Sequence, residues 1–249
     1  MPPLIRAEKL TIGWGAEFVL QRDATFDIER GDICVILGGS GCGKSTLMRH
    51  MIGLEEPMAG TITIDGVGRP TRRVGKPEFG VMFQSGALFG SMTLAQNLAL
   101  PLEAWTELTS TAIDAVVRAR LRLVGLQGFE NHLPAEISGG MKKRAAIARA
   151  MALEPELIFL DEPSAGLDPV SAVELDDLIL TLNQGLGLTV VLVTHELESI
   201  FRIAKSCIFL DKDSKSIIAR GDPRELRDTS DDPRVHDFFN RKSGRQAAS

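Results

Sequence analysis

The chain has 249 residues, of which 44% are hydrophobic and 24% charged, ordinary globular usage that excludes a disordered, collagen-like or coiled-coil chain. A formal net charge of −5 gives no overall basic field to hold nucleic acid by its phosphates, so no nucleic-acid partner is expected. Cys34, Cys42 and Cys207 are far apart and form no C-x-x-C pair. That spacing suits a reducing compartment and supplies neither a disulfide framework nor a zinc site.

Met1-Pro2-Pro3-Leu4-Ile5-Arg6 leads directly into alternating polar and apolar residues, with no apolar signal-peptide core. No later run approaches the roughly 20 apolar residues of a spanning helix. If the chain works at a membrane, it must dock onto something that crosses it. Leu4–Ile12, Ala24–Ile28 and Thr61–Ile64 read as strands joined by glycine turns, which predicts an antiparallel piece. Ile33–Leu37 has the length and apolarity of a buried strand and is followed by a helical run, Leu47–Ile52. From Gln84 to Ala150 the pattern is mostly helical, which predicts an inserted helical subdomain over about 85–150. Leu157–Leu160, Thr189–Val193 and Ser206–Leu210 are further short apolar strands, separated by helical spacing over Pro169–Gln184 and Glu196–Ala204. Alternation of this kind predicts an α/β protein with a parallel sheet. A main domain over 1–220 is expected, then a polar C-terminal extension over 221–249 with a short amphipathic helix near Val235–Phe239 and a frayed end after Lys242.

The stretch Gly38-Gly39-Ser40-Gly41-Cys42-Gly43-Lys44-Ser45-Thr46 follows the strand Ile33–Leu37 and precedes a helix, the setting in which G-x-x-x-x-G-K-[ST] binds phosphate. Crowded glycines can turn successive backbone N–H groups toward one point, and the helix N-terminus adds partial positive charge. Lys44 would meet the β- and γ-phosphates as a point charge, and the Ser45 hydroxyl would ligate Mg²⁺. Cys42 reads as a small residue whose backbone does the binding, since no resolving cysteine is adjacent.

Leu157-Ile158-Phe159-Leu160-Asp161-Glu162 is a strand ending in two acids. Carboxyl ends of parallel strands form ligand crevices, so Asp161 is placed to hold Mg²⁺ and Glu162 to polarise an attacking water. Ile137-Ser138-Gly139-Gly140-Met141-Lys142-Lys143-Arg144 opens a helix with Ser138 as its N-cap. Its glycines would let a phosphate approach the backbone, while Lys142, Lys143 and Arg144 also read simply as a wetted helix face.

Taken in order, the phosphate loop, Gln84, Ser-Gly-Gly, Asp-Glu, Ser164-Ala165-Gly166-Leu167-Asp168 and His195 resemble the nucleotide-binding subunit of an ABC transporter over nearly the whole chain. The resemblance implies a P-loop NTPase (RecA-like) α/β core with an N-terminal antiparallel β subdomain and an inserted α-helical subdomain. It implies ATP and Mg²⁺ as ligands, with the phosphate loop from Gly38 to Thr46 holding the phosphates and Ser45, Gln84 and Asp161 around the metal. It makes Trp14 the adenine-stacking residue, where a tyrosine is more common; the plain alternative is a buried anchor of the antiparallel sheet. Gln84 would touch the metal and the attacking water, Glu162 would act as base, and His195 would hydrogen-bond the γ-phosphate. Ser138, Gly139 and Gly140 would meet ATP held by a second copy, in a head-to-tail dimer whose seam Asp168 lines. The charge-free stretch from Ser85 to Leu102 would face a membrane partner, or else form helical core.

Three departures from the common pattern stand out: Met141 replaces glutamine, Ile137 replaces leucine, and Gly39 stands where proline is frequent. The Ser-Gly-Gly-Met variant, Phe83-Gln84-Ser85-Gly86-Ala87-Leu88-Phe89 and Asp232-Pro233-Arg234-Val235 resemble the ATPases of Mla- and Mce-type lipid transporters. That implies an integral permease, a periplasmic Mce-domain protein, room for a small regulatory protein, and a place on the cytoplasmic face of the bacterial inner membrane. Phe238 and Phe239 would be anchors if the tail clasps the second copy. The nucleotide motifs are shared by ABC ATPases without a permease, such as iron–sulfur assembly scaffolds. A small-molecule P-loop kinase would share the cradle alone and leave Ser138-Gly139-Gly140 and His195 without a role.

Overall fold

A computed structural model describes residues 2–15, 18–71 and 75–240; the end expected to fray after Lys242 lies outside them. By internal contact the chain groups into two compact units, residues 1–73 with 191–249, and residues 74–190.

In the first unit β1 (Ile5–Gly13), β2 (Val19–Ile28) and β4 (Ala59–Ile64) form a three-stranded antiparallel sheet in the order β2-β1-β4. Ile5 pairs with Ile28 and Ile64, and Ala7 with Phe26 and Ile62, so one face is a continuous apolar layer. The buried set steps from Ala7 to Leu10, out of phase with a period of two. Lys9 is the cause: its φ is 46° and the register shifts there, a bulge that leaves Glu8 and Lys9 both exposed. Gly60 lies so close to this bulge that a Cβ would stand 2.2 Å from the Lys9 carbonyl oxygen. A similar irregularity at Asp23, φ 48°, explains why β2 starts at Val19 although the pattern predicts Ala24. The polar run Gln21-Arg22-Asp23 hides the strand's first half.

β3 (Ile33–Gly38) is buried at every residue and pairs in parallel with β8 (Ser206–Asp211), Val35 opposite Cys207 and Leu37 opposite Phe209. An apolar run without alternation is what a strand covered on both faces requires. α1 (Lys44–Met51) follows β3, and α6 (Leu197–Ile203) precedes β8. β9 (Ser216–Gly221) pairs antiparallel with β8. None of its residues is fully buried, so no hydrophobic pattern announces it.

α7 (Pro223–Thr229) and α8 (Pro233–Phe239) each start on Asp-Pro, the Asp222 or Asp232 carboxylate accepting the backbone N–H two residues on. α8 is the helix expected near Val235–Phe239. The Phe238 and Phe239 rings lie 5.0 and 6.2 Å from Phe209, and Phe239 lies 5.5 Å from Phe201. Both rings thus pack within their own chain, with Phe239 buried and Phe238 half-buried.

In the second unit β5 (Gly80–Met82) pairs in parallel with β6 (Leu157–Asp161), Met82 opposite Leu160. β5 is too short for its pattern to be read. The helices α2 (Leu94–Trp105), α3 (Ser110–Leu123) and α4 (Gly139–Ala150) pack on one another. α5 (Pro169–Leu186) extends slightly past the predicted end and stops at Gly187, whose φ of 67° is the left-handed conformation of a helix C-cap. β7 (Thr189–Val193), along which the chain passes from the second unit into the first, is buried throughout, with the bounds the sequence predicts. Among the described residues no helix is long and apolar enough to cross a membrane.

Candidate functional site

The loop between β3 and α1 owes its shape to glycine. Gly38, Gly41 and Gly43 have φ of 140°, 77° and 103°, all left-handed. A Cβ on Gly38 would stand 2.2 Å from the Leu210 carbonyl oxygen and 2.6 Å from the Cys42 sulfur. Gly43 is also the N-cap of α1 and brings no side-chain cap; a helix start whose first N–H groups have no intrahelical partner suits an anion. Lys44 Nζ donates to the carbonyls of Gly38 at 2.9 Å and Gly39 at 3.1 Å, crossing back over the start of the loop. Ser40 and Gly41 are exposed, while Thr46 is buried beneath the helix start. Ser45, next to Lys44, is the hydroxyl that opens α1. Cys42 is fully buried, and that burial pushes its thiol pKa up despite the pull of Lys44. A protonated, enclosed thiol fits a backbone role and no redox one.

Two clusters form in the second unit. At the first, Ser138 caps α4, its Oγ accepting the Met141 N–H at 3.2 Å. Gly139 and Gly140 lie against Leu167 and Ser171, where added Cβ atoms would make contacts of 3.5 and 3.4 Å. Asp168 in turn caps α5, accepting from the Ser171 N–H at 3.0 Å and its hydroxyl at 2.6 Å. Those bonds hold the Asp168 carboxyl below its usual pKa. The Ser-Gly-Gly tip and the Asp168 turn, far apart in sequence, are thus one local structure.

At the second cluster Asp161 ends β6, and Glu162 follows with φ 47°, a left-handed conformation uncommon for residues other than glycine. Gln84 is exposed in the turn after β5. The two are joined by a residue the sequence did not single out. Lys143 is buried, and its Nζ donates to the carbonyls of Gln84 at 2.5 Å and Glu162 at 3.3 Å. The wetted face expected over Lys142–Arg144 is therefore wrong at its centre, and its flanks Lys142 and Arg144 are half-buried, Arg144 pairing with Glu174.

Trp14 and His195 stand in other elements. Trp14 is 59% exposed in the turn between β1 and β2, so it is not the buried sheet anchor that was its plain alternative. Phe18, 65% exposed, sits across the same turn, where its carbonyl accepts the Trp14 N–H. An aromatic residue four positions after Trp14 was the available signal for it. His195 is exposed just beyond β7, its Nε2 3.5 Å from Glu196 Oε1.

Beyond Gln84 the chain is held by side chains on two helices. Arg149 of α4 donates to the carbonyls of Gly86 and Ala87 at 3.1 and 2.8 Å, and its burial lowers the guanidinium pKa. Asn97 of α2, fully buried, accepts the Phe89 N–H at 2.8 Å and donates to the Phe89, Met92 and Thr93 carbonyls. Fixed at both ends, this loop exposes Phe83 and Phe89 beside a cavity of about 430 Å³ lined by Phe79, Val81, Phe89, Leu100, Pro101 and Arg149 among others. The expectation that this stretch packs as plain helical core is met by Leu94, Leu98 and Leu102, which are buried, and not by the loop.

The profile of the family described as ABC transporter matches residues 21–165. A Mycobacterium leprae protein described as probable ribonucleotide transport ATP-binding protein mkl is 40% identical over 242 residues, 95% of this chain and 68% of its own. This chain thus spans about two thirds of that relative's length. The intermembrane phospholipid transport system ATP-binding protein MlaF of Escherichia coli K12 is 40% identical over 217 residues, covering 85% of this chain and 80% of its own. Among solved structures, the dimeric post-hydrolysis state of the ATP-binding cassette MJ0796 bound to ADP and Pi superposes with a TM-score of 0.76 at 26% identity, over 88% of this chain and 98% of that one.

Proposed function

Because the chain belongs to the ABC transporter family and is an ATP-binding, ATP-hydrolysing cassette of the P-loop NTPase fold, we propose that it powers phospholipid movement between bacterial membranes. In this reading it sits on the cytoplasmic face of the inner membrane, bound to an integral permease that works with a periplasmic Mce-domain protein. A small regulatory protein has a place in such an assembly as a further partner. The observation that carries the reading is the 40% identity to MlaF over four fifths of that protein's length. The apolar cavity beside Phe89 supports the permease contact, because an amphipathic helix from a membrane partner could bury its apolar face there.

The chemistry is in-line attack of water on the γ-phosphorus, with cleavage of the bond to the bridging oxygen and departure of ADP. Glu162 takes the proton of the attacking water, and Gln84 and His195 orient that water and the γ-phosphate. Lys44 and the N–H groups of the glycine loop stabilise the phosphate charge. Among the described residues no three His, Cys, Asp or Glu side chains form a metal-binding group. A hydroxyl from Ser45, the Asp161 carboxylate and the Gln84 amide suit a hard ion that completes its shell with water and phosphate oxygens. Mg²⁺ held there would supply further neutralisation of the phosphates. Trp14 stacks on the adenine. Two copies act head to tail, each lending its Ser138-Gly139-Gly140 tip to the other's ATP. Ser138 can cap α4 and still donate, since a hydroxyl accepts from Met141 through a lone pair and keeps its own proton for a phosphate oxygen.

The mkl description supports a second reading, with a ribonucleotide as cargo. Purifying the chain from detergent-solubilised membranes and reconstituting it with its integral partner separates the two. Phospholipid transfer that depends on ATP is the expected result. Turnover stimulated by ribonucleotide and not by phospholipid, or the absence of any integral partner, would overturn the lipid assignment.

A further inference from the structure

Lys143 is a buried charged residue to which the expected site gives no role. It lies in the first half of α4, near the capped tip at Ser138, and only 8% of it is exposed. Burying an ammonium group is unfavourable unless its donors find partners. Here they find the backbone carbonyls of Gln84 and Glu162. Burial lowers the amine's pKa, while the charges of Glu162 and Asp161 pull it back up. A methionine or leucine would fill similar space without that desolvation cost, so the position carries a lysine for what its donors hold.

What they hold is specific. Glu162 has a left-handed backbone, φ 47°, and its carbonyl direction fixes where the following turn and its own side chain point. Gln84 sits in a tight turn closed by the Gly86 N–H to the Phe83 carbonyl at 2.7 Å. One amine therefore fixes two backbone segments that otherwise belong to separate strand ends, β5 and β6. The same helix carries the Ser-Gly-Gly tip about one turn away, at roughly 1.5 Å per residue.

From these contacts we infer that Lys143 is a positioning residue for hydrolysis: it sets the carbonyls of Glu162 and Gln84 and links them rigidly to the glycine tip of α4. This rests on the reading of Glu162 as the base. Its consequence is that a tip engaged with the second copy's ATP also aligns the base and the glutamine of its own copy. Each site then reports its occupancy to the other through α4.

The test uses the full chain in the complex it forms with its integral partner. Lys143→Met keeps the aliphatic stem and removes the donors. It is expected to lower kcat about tenfold or more, with KM for ATP within roughly threefold of wild type, as misalignment without lost ground-state binding requires. Lys143→Arg, which restores donors to both carbonyls, is expected to recover at least about a third of kcat. In a Glu162→Gln background Lys143→Met is expected to reduce the residual rate by less than about threefold, because groups that act as a unit are not additive. Thermal melting of each variant is measured alongside. If Lys143→Met is poorly folded, Lys143→Gln, with one amide donor, must show the same kcat-selective loss at near-native melting temperature. Wild-type kcat in Lys143→Met, a fall in kcat matched by KM and melting temperature in every variant, or full additivity with Glu162→Gln would each overturn the inference. If Glu162→Gln alone turns over at the wild-type rate, the reading of the base fails, and that outcome is separate from the others.

Discussion

Gln21, fully buried on β2, donates through Nε2 to the carbonyl of Cys42 in the phosphate loop at 2.9 Å and to the carbonyl of Asp211 at the end of β8 at 3.1 Å. One amide thus fixes the glycine loop from beneath, at the residue whose own side chain is inert. Gln21→Leu would leave two buried carbonyls without this donor. A loss of about 1–3 kcal/mol in stability is expected, the usual desolvation penalty of unmet buried acceptors, together with a raised KM for ATP. Chemical denaturation and steady-state kinetics check both. An unchanged KM would show that the loop keeps its shape without Gln21.

Lys44 and Ser138 belong to opposite ends of the proposed composite site, and their variants should separate accordingly. Lys44→Ala removes the charge proposed to meet the phosphates and should weaken nucleotide binding to the isolated chain. Ser138→Arg should leave that binding intact and abolish turnover, because the added bulk meets ATP only when a second copy closes. Fluorescent-nucleotide titration and phosphate release distinguish the two. Normal hydrolysis by Ser138→Arg would remove the tip from the site.

Much of this was legible in the sequence, and the parts that were not share a cause. β3, β7 and β8 are continuous apolar runs with sharp ends, so their bounds follow from composition. The glycine loop, the Ser138 cap and the Asp161-Glu162 pair are local signals that survive folding unchanged. What escaped depends on distance in sequence. Lys143 reads as one of three basic residues on a wet helix, and only the carbonyls of residues 59 positions before it and 19 after it make it a buried strut. β5 and β9 exist because a neighbouring strand pairs with them, and α7 is announced only by Asp222-Pro223. The bulges at Lys9 and Asp23 shift the alternation on which strand limits are judged.

Phe89 and Arg149 give the cavity after Gln84 a direct test. Phe89 is 55% exposed, so Phe89→Ser should change stability by no more than about 0.5 kcal/mol, as exposed substitutions do. Arg149→Ala releases the carbonyls of Gly86 and Ala87 and should loosen the loop itself. Both variants are expected to bind ATP normally and to lose co-purification with the integral partner. Retention of the partner by both would place the permease contact elsewhere.

The C-terminal helices are tied to the body of the first unit by a carboxylate that makes their stability pH-dependent. Asp211 Oδ2 accepts from the Ser214 N–H, the Ser214 hydroxyl and the Arg234 guanidinium of α8, each at 2.7 Å. Burial alone would raise its pKa, but these bonds and the Arg234 charge outweigh it and hold the group below the ordinary value. Arg234 is further held by Asp232 at 2.6 Å, and the anchor continues into the Phe209, Phe238 and Phe239 cluster. For a depressed carboxyl, the stabilisation is complete above the unfolded pKa, about 3.9 for aspartate, and disappears as pH falls through the folded value. Asp211→Asn should therefore lower the melting temperature by a constant amount from pH 7 to about pH 5, with the gap to wild type closing below about pH 4. Hydrogen exchange in α8 should follow the same course. A gap that widens on acidification, or none at pH 7, would show that Asp211 does not hold the helix. Truncation after Gly221 should lower the melting temperature of the single chain by more than Asp211→Asn does, because it also strips the aromatic cover from Phe209.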